Sequence, residues 1–97
     1  MHIHLQEGFT GQPVRLRVNG TEVFSGSPKT RLQIGLAHQV ECEVGDRGAA
    51  VVEIELPDER ISETFRVEPS LNPYAGLSLD RQGKVQVKLS AEPFGYV

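Results

Sequence analysis

The chain has no tryptophan, one cysteine and one methionine in 97 residues, and aromatic residues make up only 6% of it. A lone cysteine, Cys42, excludes an intramolecular disulfide, and with it the stapled class of small secreted scaffold. Without tryptophan, a sugar-stacking platform would fall to Tyr74 and Tyr96 alone. No apolar run approaches the ~18 residues of a membrane span. Positive charge is also short. Ten Lys and Arg stand against 13 Asp and Glu, a net charge of −3. A non-specific nucleic-acid binder needs a basic face, and Arg15, Arg17, Lys29 and Arg31 form only a sparse basic region. The start of the chain lacks the basic and continuous apolar regions of a signal peptide, so the expected location is cytoplasmic. No phosphate loop, G-x-G-x-x-G, H-E-x-x-H or nucleophile elbow occurs. The sequence is therefore read as a non-enzyme without cofactor.

What is present is 10 Gly, 6 Pro, many Val and short alternating runs. This composition indicates one all-β domain over residues 1–97. In 2–6, Ile3 and Leu5 face one way, and His2, His4 and Gln6 the other. Residues 14–18 alternate cleanly, and Asn19-Gly20 suits a type I′ hairpin. That register sets Leu16 opposite Val23 and Arg15 opposite Phe24, with Phe24 facing outward. Leu32, Ile34 and Leu36 resume the alternation, with a corner near Gly35. Residues 39–44 and 50–56 read as a second hairpin around Asp46-Arg47-Gly48, pairing Val40 with Ile54 and Cys42 with Val52. Strands at 61–68, 74–80 and 84–90 follow. The last two pair Ala75, Leu77 and Leu79 with Leu89, Val87 and Val85. Seven or eight short strands at this spacing predict an antiparallel β-sandwich, Greek-key, immunoglobulin-like or transthyretin-like. A small β-barrel is the alternative.

The stretches "VRLRVNGTEVFSG", "TRLQIGLA" and "EPFGY" resemble short bacterial β proteins of no assigned chemistry. The resemblance spans most of the chain. It implies a standalone β domain and brings no site residues with it.

Three sets of side chains are candidates for function. His2 and His4 share one strand face and, with His38, are the possible ligands of a metal. A lone H-x-H is a weak signal, and tight zinc binding needs three or four ligands. The parity of Cys42 sends it to the core instead. The first strand is thus expected to be an edge or terminal strand with two solvated histidines. Next, the 39–56 hairpin register gathers Glu41, Glu43, Glu53 and Glu55 on one acidic face. Like charges directly opposite are destabilising, so such a face could serve a basic partner or simply solvate the sheet. Last, Phe24 with Arg15, and Phe94 with Tyr96, form a candidate interaction patch. The opposing expectation is that Phe9 and Phe94 plug the open ends of the sandwich. Glu63 interrupts the inward series Ile61, Phe65, Val67, the pattern of an edge strand guarded by an inward charge. The function expected is a protein-interaction or assembly module that binds a protein partner or a second copy. A metal-binding protein and a small enzyme or ligand-binding domain are the alternatives.

Overall fold

Alternation of apolar and polar residues, broken by Gly, Pro and Asn, produces eight strands in the computed structural model, which describes residues 1–44 and 48–96. They are β1 (His2–Leu5), β2 (Val14–Val18), β3 (Thr21–Gly26), β4 (His38–Glu41), β5 (Ala50–Leu56), β6 (Ile61–Val67), β7 (Tyr74–Leu79) and β8 (Val85–Ser90). A single 3₁₀ turn, Pro57–Glu59, joins β5 to β6. Two four-stranded sheets result. Sheet I has the order β4-β1-β7-β8 and sheet II the order β3-β2-β5-β6. The chain is thus a small β-sandwich, as the strand count predicts, and its shortest dimension, 20 Å, fits two layers about 10 Å apart.

The inner faces carry most of the residues that parity assigns to them, but Val87 and Leu89, on the edge strand β8, are 41% and 40% exposed. Sheet I contributes Ile3, Leu5, Val40, Leu77 and Leu79, and sheet II contributes Leu16, Val18, Val52, Ile54 and Leu56. Phe9, 1% exposed, joins the same core from the β1–β2 loop. The β7–β8 register is the predicted one, Ala75 with Leu89 and Leu77 with Val87. Glu63 has the inward parity of Ile54, its partner, and lies on the edge strand β6.

Three expectations are corrected. First, β1 is not an edge strand. It pairs antiparallel with β4 on one side and parallel with β7 on the other. Second, β4 and β5 do not form a hairpin. β4 lies beside β1, with Ile3 opposite Val40, while β5 lies between β2 and β6 in the other sheet. Of the turn proposed to join them, Asp46 and Arg47 lie outside the described residues. The charges agree with the observed partner. The β2 cations Arg15 and Arg17 sit opposite Glu55 and Glu53, whereas the hairpin would have set Glu41 against Glu53. Opposite charges across a ladder stabilise it and like charges oppose it.

Third, the β2–β3 hairpin has its type I′ turn, with Asn19 and Gly20 both at positive φ, but its ladder shifts between Leu16 and Arg17. Leu16 faces Phe24, and Val23 becomes the extra residue of a bulge. A regular strand sends neighbours to opposite faces. A bulge lets two adjacent apolar residues both reach the core, and Val23 and Phe24 are both packed against it.

Candidate functional site

The outer face of sheet I begins with β1. His4 stands between Gln39 of β4 and Gly76 of β7, and His2 between Glu41 and Tyr74. Lys88 of β8 lies beyond Gly76. This face is covered by the C-terminal segment. The Phe94 ring meets His4 edge-on at 5.3 Å, and the Tyr96 ring stacks on it at 5.7 Å. Tyr74 stacks on His2 at 4.8 Å, and the Lys88 ammonium sits 5.9 Å from the centre of Phe94. Aromatic pairs of this kind contribute roughly 0.5–1.5 kcal/mol each. His4 is consequently 6% exposed. The expectation of a solvated His4 is corrected: its parity is right, but the returning chain buries it.

Gly76 makes room for this arrangement. A Cβ there would stand 2.5 Å from Gln6 Oε1. The Gln6 amide occupies that space and donates from Nε2 to the Tyr96 hydroxyl at 3.0 Å. Tyr96 Oη is 2.7 Å from His4 Nδ1. A hydroxyl that accepts from Gln6 still has its own proton, and it can donate that proton to Nδ1 when this nitrogen is bare. With the hydroxyl donating, His4 is the neutral tautomer that carries its proton on Nε2. Burial, and secondarily the nearby His2, push its pKa down because both disfavour the imidazolium.

The other candidates are dispersed. His38 has the inward parity of Leu5 and packs its ring against Phe24 at 4.4 Å. It faces the other side of the sheet from His2 and His4, so the three histidines are not brought together. Among the described residues no group of three or more His, Cys, Asp or Glu is gathered as a metal site. Phe24 points inward rather than outward, a consequence of the bulge. Arg15 lies in the ladder row of Glu55, on the outer face of sheet II, where its guanidinium is 3.7 Å from that carboxylate. Phe94 and Tyr96 do lie together, on sheet I, and Phe94 is a cover for His4 rather than an end plug. The acidic face is divided. Glu53 and Glu55 pair with Arg17 at 2.6 and 4.0 Å, while Glu41 and Glu43 are exposed on or beside β4. Cys42 packs against the core, and burial pushes its thiol pKa up.

A second region lies where the β1–β2 loop, the β3–β4 loop and the β7–β8 turn meet. Gly8, at φ +91°, approaches the Leu79 carbonyl so closely that any Cβ would overlap it. Thr30 Oγ1 donates to the Gln6 carbonyl and accepts from the Phe9 amide, tying the two loops together. The β3–β4 loop then turns sharply. The Gly35 amide, at positive φ, bonds to the Arg31 carbonyl, and Leu32 is left 91% exposed. The alternation of Leu32, Ile34 and Leu36 is thus not a strand, and the corner expected near Gly35 is a turn closed by an Arg31–Leu36 bridge. Two hollows, about 530 and 330 Å³, flank this turn and share Gly8, Thr30 and Leu32. Lys29 borders one and Arg81 the other. Glu7 and Asp80 also line the larger, but the Asp80 carboxylate is engaged by the Lys84 and Gln82 amides at 2.9 Å and the Gln86 side chain at 3.0 Å. The ion pairs among the described residues are those of Arg15 and Arg17, and Lys29 and Arg81 take part in none. Sequence reading placed a corner near Gly35, and the turn lies there; what it missed is the exposure of Leu32 and the hollows beside it.

No protein-family model matches the chain, and comparison with curated proteins and with solved structures gives no match.

Proposed function

We propose that the chain is a non-enzymatic protein-interaction module whose contact surface is the loop end around Leu32. The carrying observation is Leu32 itself, nine-tenths exposed at the tip of a hydrogen-bonded turn between two hollows. Burying such a side chain is worth roughly 1.5–3 kcal/mol, which a partner would recover. The larger hollow falls in the ~300–1,000 Å³ range of binding pockets. Lys29 and Arg81, without ion pairs, favour a partner segment that carries carboxylates beside an apolar anchor. The free, half-buried thiol of Cys42 suits a reducing compartment such as the cytoplasm.

Calorimetry with synthetic peptides, each a Leu or Phe flanked by Asp and Glu, tests this reading. Binding is expected to weaken about tenfold in Leu32→Asp, the loss expected when one apolar anchor worth ~1.4 kcal/mol is removed. The melting temperature should be unchanged, because Leu32 buries little. Charge reversal at Lys29 and Arg81 should weaken binding and flatten its salt dependence. Affinity unchanged in Leu32→Asp, or no binding of any acidic peptide at millimolar concentration, contradicts the proposal. Concentration-dependent self-association that survives Leu32→Asp would instead point to a second copy as the partner, at another surface.

A further inference from the structure

We propose that the C-terminal segment Ala91–Tyr96 is a proton-released strap: it lies closed over sheet I while His4 is neutral and lifts when His4 takes up a proton. The geometry sets the direction. Tyr96 Oη accepts from Gln6 Nε2 at 3.0 Å and lies 2.7 Å from His4 Nδ1, to which it donates a hydrogen bond while Nδ1 carries no proton. Protonated Nδ1 is a donor. The hydroxyl would then face two donors, and its own proton would lose the Nδ1 acceptor. The imidazolium would also have to form on a residue 6% exposed, beneath Phe94 and Tyr96. Lifting the strap gives that charge to water.

Titratable and polar groups face His4 from every neighbouring strand. His2 stands two residues along β1 and Lys88 beyond Gly76 on β8, and both are adverse to a further positive charge. Tyr74 on β7 brings its ring edge-on at 6.4 Å. On β4, Gln39 lies opposite His4, whereas the carboxylate of Glu41 lies in the row of His2. In the strap, Glu92 is exposed, and its backbone is held by Ser90. Burial and His2 already hold the His4 imidazole below its ordinary range.

The sign follows. The closed strap binds the proton less well than the open one. Its stabilisation by His4 is therefore complete above the ordinary imidazole value of ~6.5 and is lost as pH falls through the lowered one. Opening would also unwall a hollow of about 230 Å³ between Tyr96, Gly95 and Ile34, which shares Glu7 and Gly35 with the larger loop-end hollow. The strap stands on its own geometry and does not rest on the binding role proposed for that end.

Nuclear magnetic resonance on the full chain between pH 8 and 4 tests it. The His4 ring resonance should titrate below the ordinary midpoint. Over the same interval, close-contact signals between His4 and the Tyr96 ring should vanish. Amide exchange at Phe94 to Tyr96, corrected for its intrinsic pH dependence, should rise about tenfold for each unit by which the midpoint is depressed. In Tyr96→Phe, a change outside both sheets, the His4 midpoint should move up toward the ordinary value while the strand amides stay protected. In His4→Gln the transition should disappear. Contacts that persist through the His4 titration, or a midpoint unmoved in Tyr96→Phe, overturn the proposal even if His4→Gln fails to fold.

Discussion

Gly76 and Gly8 are residues at which the absence of a side chain decides what neighbours can do. Gly76→Ala should push the Gln6 amide off the sheet and break its bond to Tyr96, a loss of about 1 kcal/mol for a hydrogen bond of this kind. The expected readout is a higher His4 midpoint and faster strap exchange, with the rest of the chain still protected. Gly8→Ala is a different case. The residue has φ +91° and would meet backbone rather than a movable side chain, so strain and overlap together should cost ~2 kcal/mol or more. A denaturant midpoint that hardly moves would contradict that. Asp80 supplies a third, pH-dependent case. The Lys84 amide first, then Gln86 and the Gln82 amide, hold its carboxyl below the usual range. The turn is therefore stabilised above the ordinary carboxylate value and loosens as pH falls through the lowered one. Exchange of the Gln82 and Lys84 amides should accelerate in acid, and Asp80→Ala should remove that dependence. At this scale the sequence was half legible. Parity placed His4 on the outer face and Cys42 with the core, and Phe9 plugs the core from its loop as one of the two expectations for it had it. Parity carried no sign that the chain's last residues return across β1, because periodicity describes a strand and not what later covers it.

At the scale of elements, what was legible was local. Asn19-Gly20 fixed one turn, and the alternation on either side of Asp80 fixed the β7–β8 register. The bulge at Val23 was hidden because a single apolar pair, Val23-Phe24, breaks the period without stating which residue is extra. The β4–β5 pairing failed for a plainer reason. Two apolar runs separated by Gly-rich residues fit a hairpin, and proximity in sequence favoured it. The charges favoured otherwise: "RLR" in β2 complements "EIE" in β5. Cross-strand ion pairs should therefore specify this neighbour. Arg17→Glu and Glu53→Arg should each lower the melting temperature, and the double exchange should recover most of the loss. Strictly additive losses would show that the pair does not select the register.

At the scale of the whole molecule, the sandwich separates three surfaces. Sheet II presents the Arg–Glu ladder, the outer face of sheet I is closed by the strap, and the loop end leaves Leu32 and two hollows open. That division depends on one topological fact, that β4 leaves β5 and joins β1. Had the two formed a hairpin, the four glutamates would share a face and sheet I would lack its β4 edge. The most direct measurement is the set of cross-strand proton contacts around Val40. The account predicts backbone contacts between Ile3 and Val40 and between Val18 and Val52. Backbone contacts between Val40 and Ile54 of the kind a hairpin makes would contradict it.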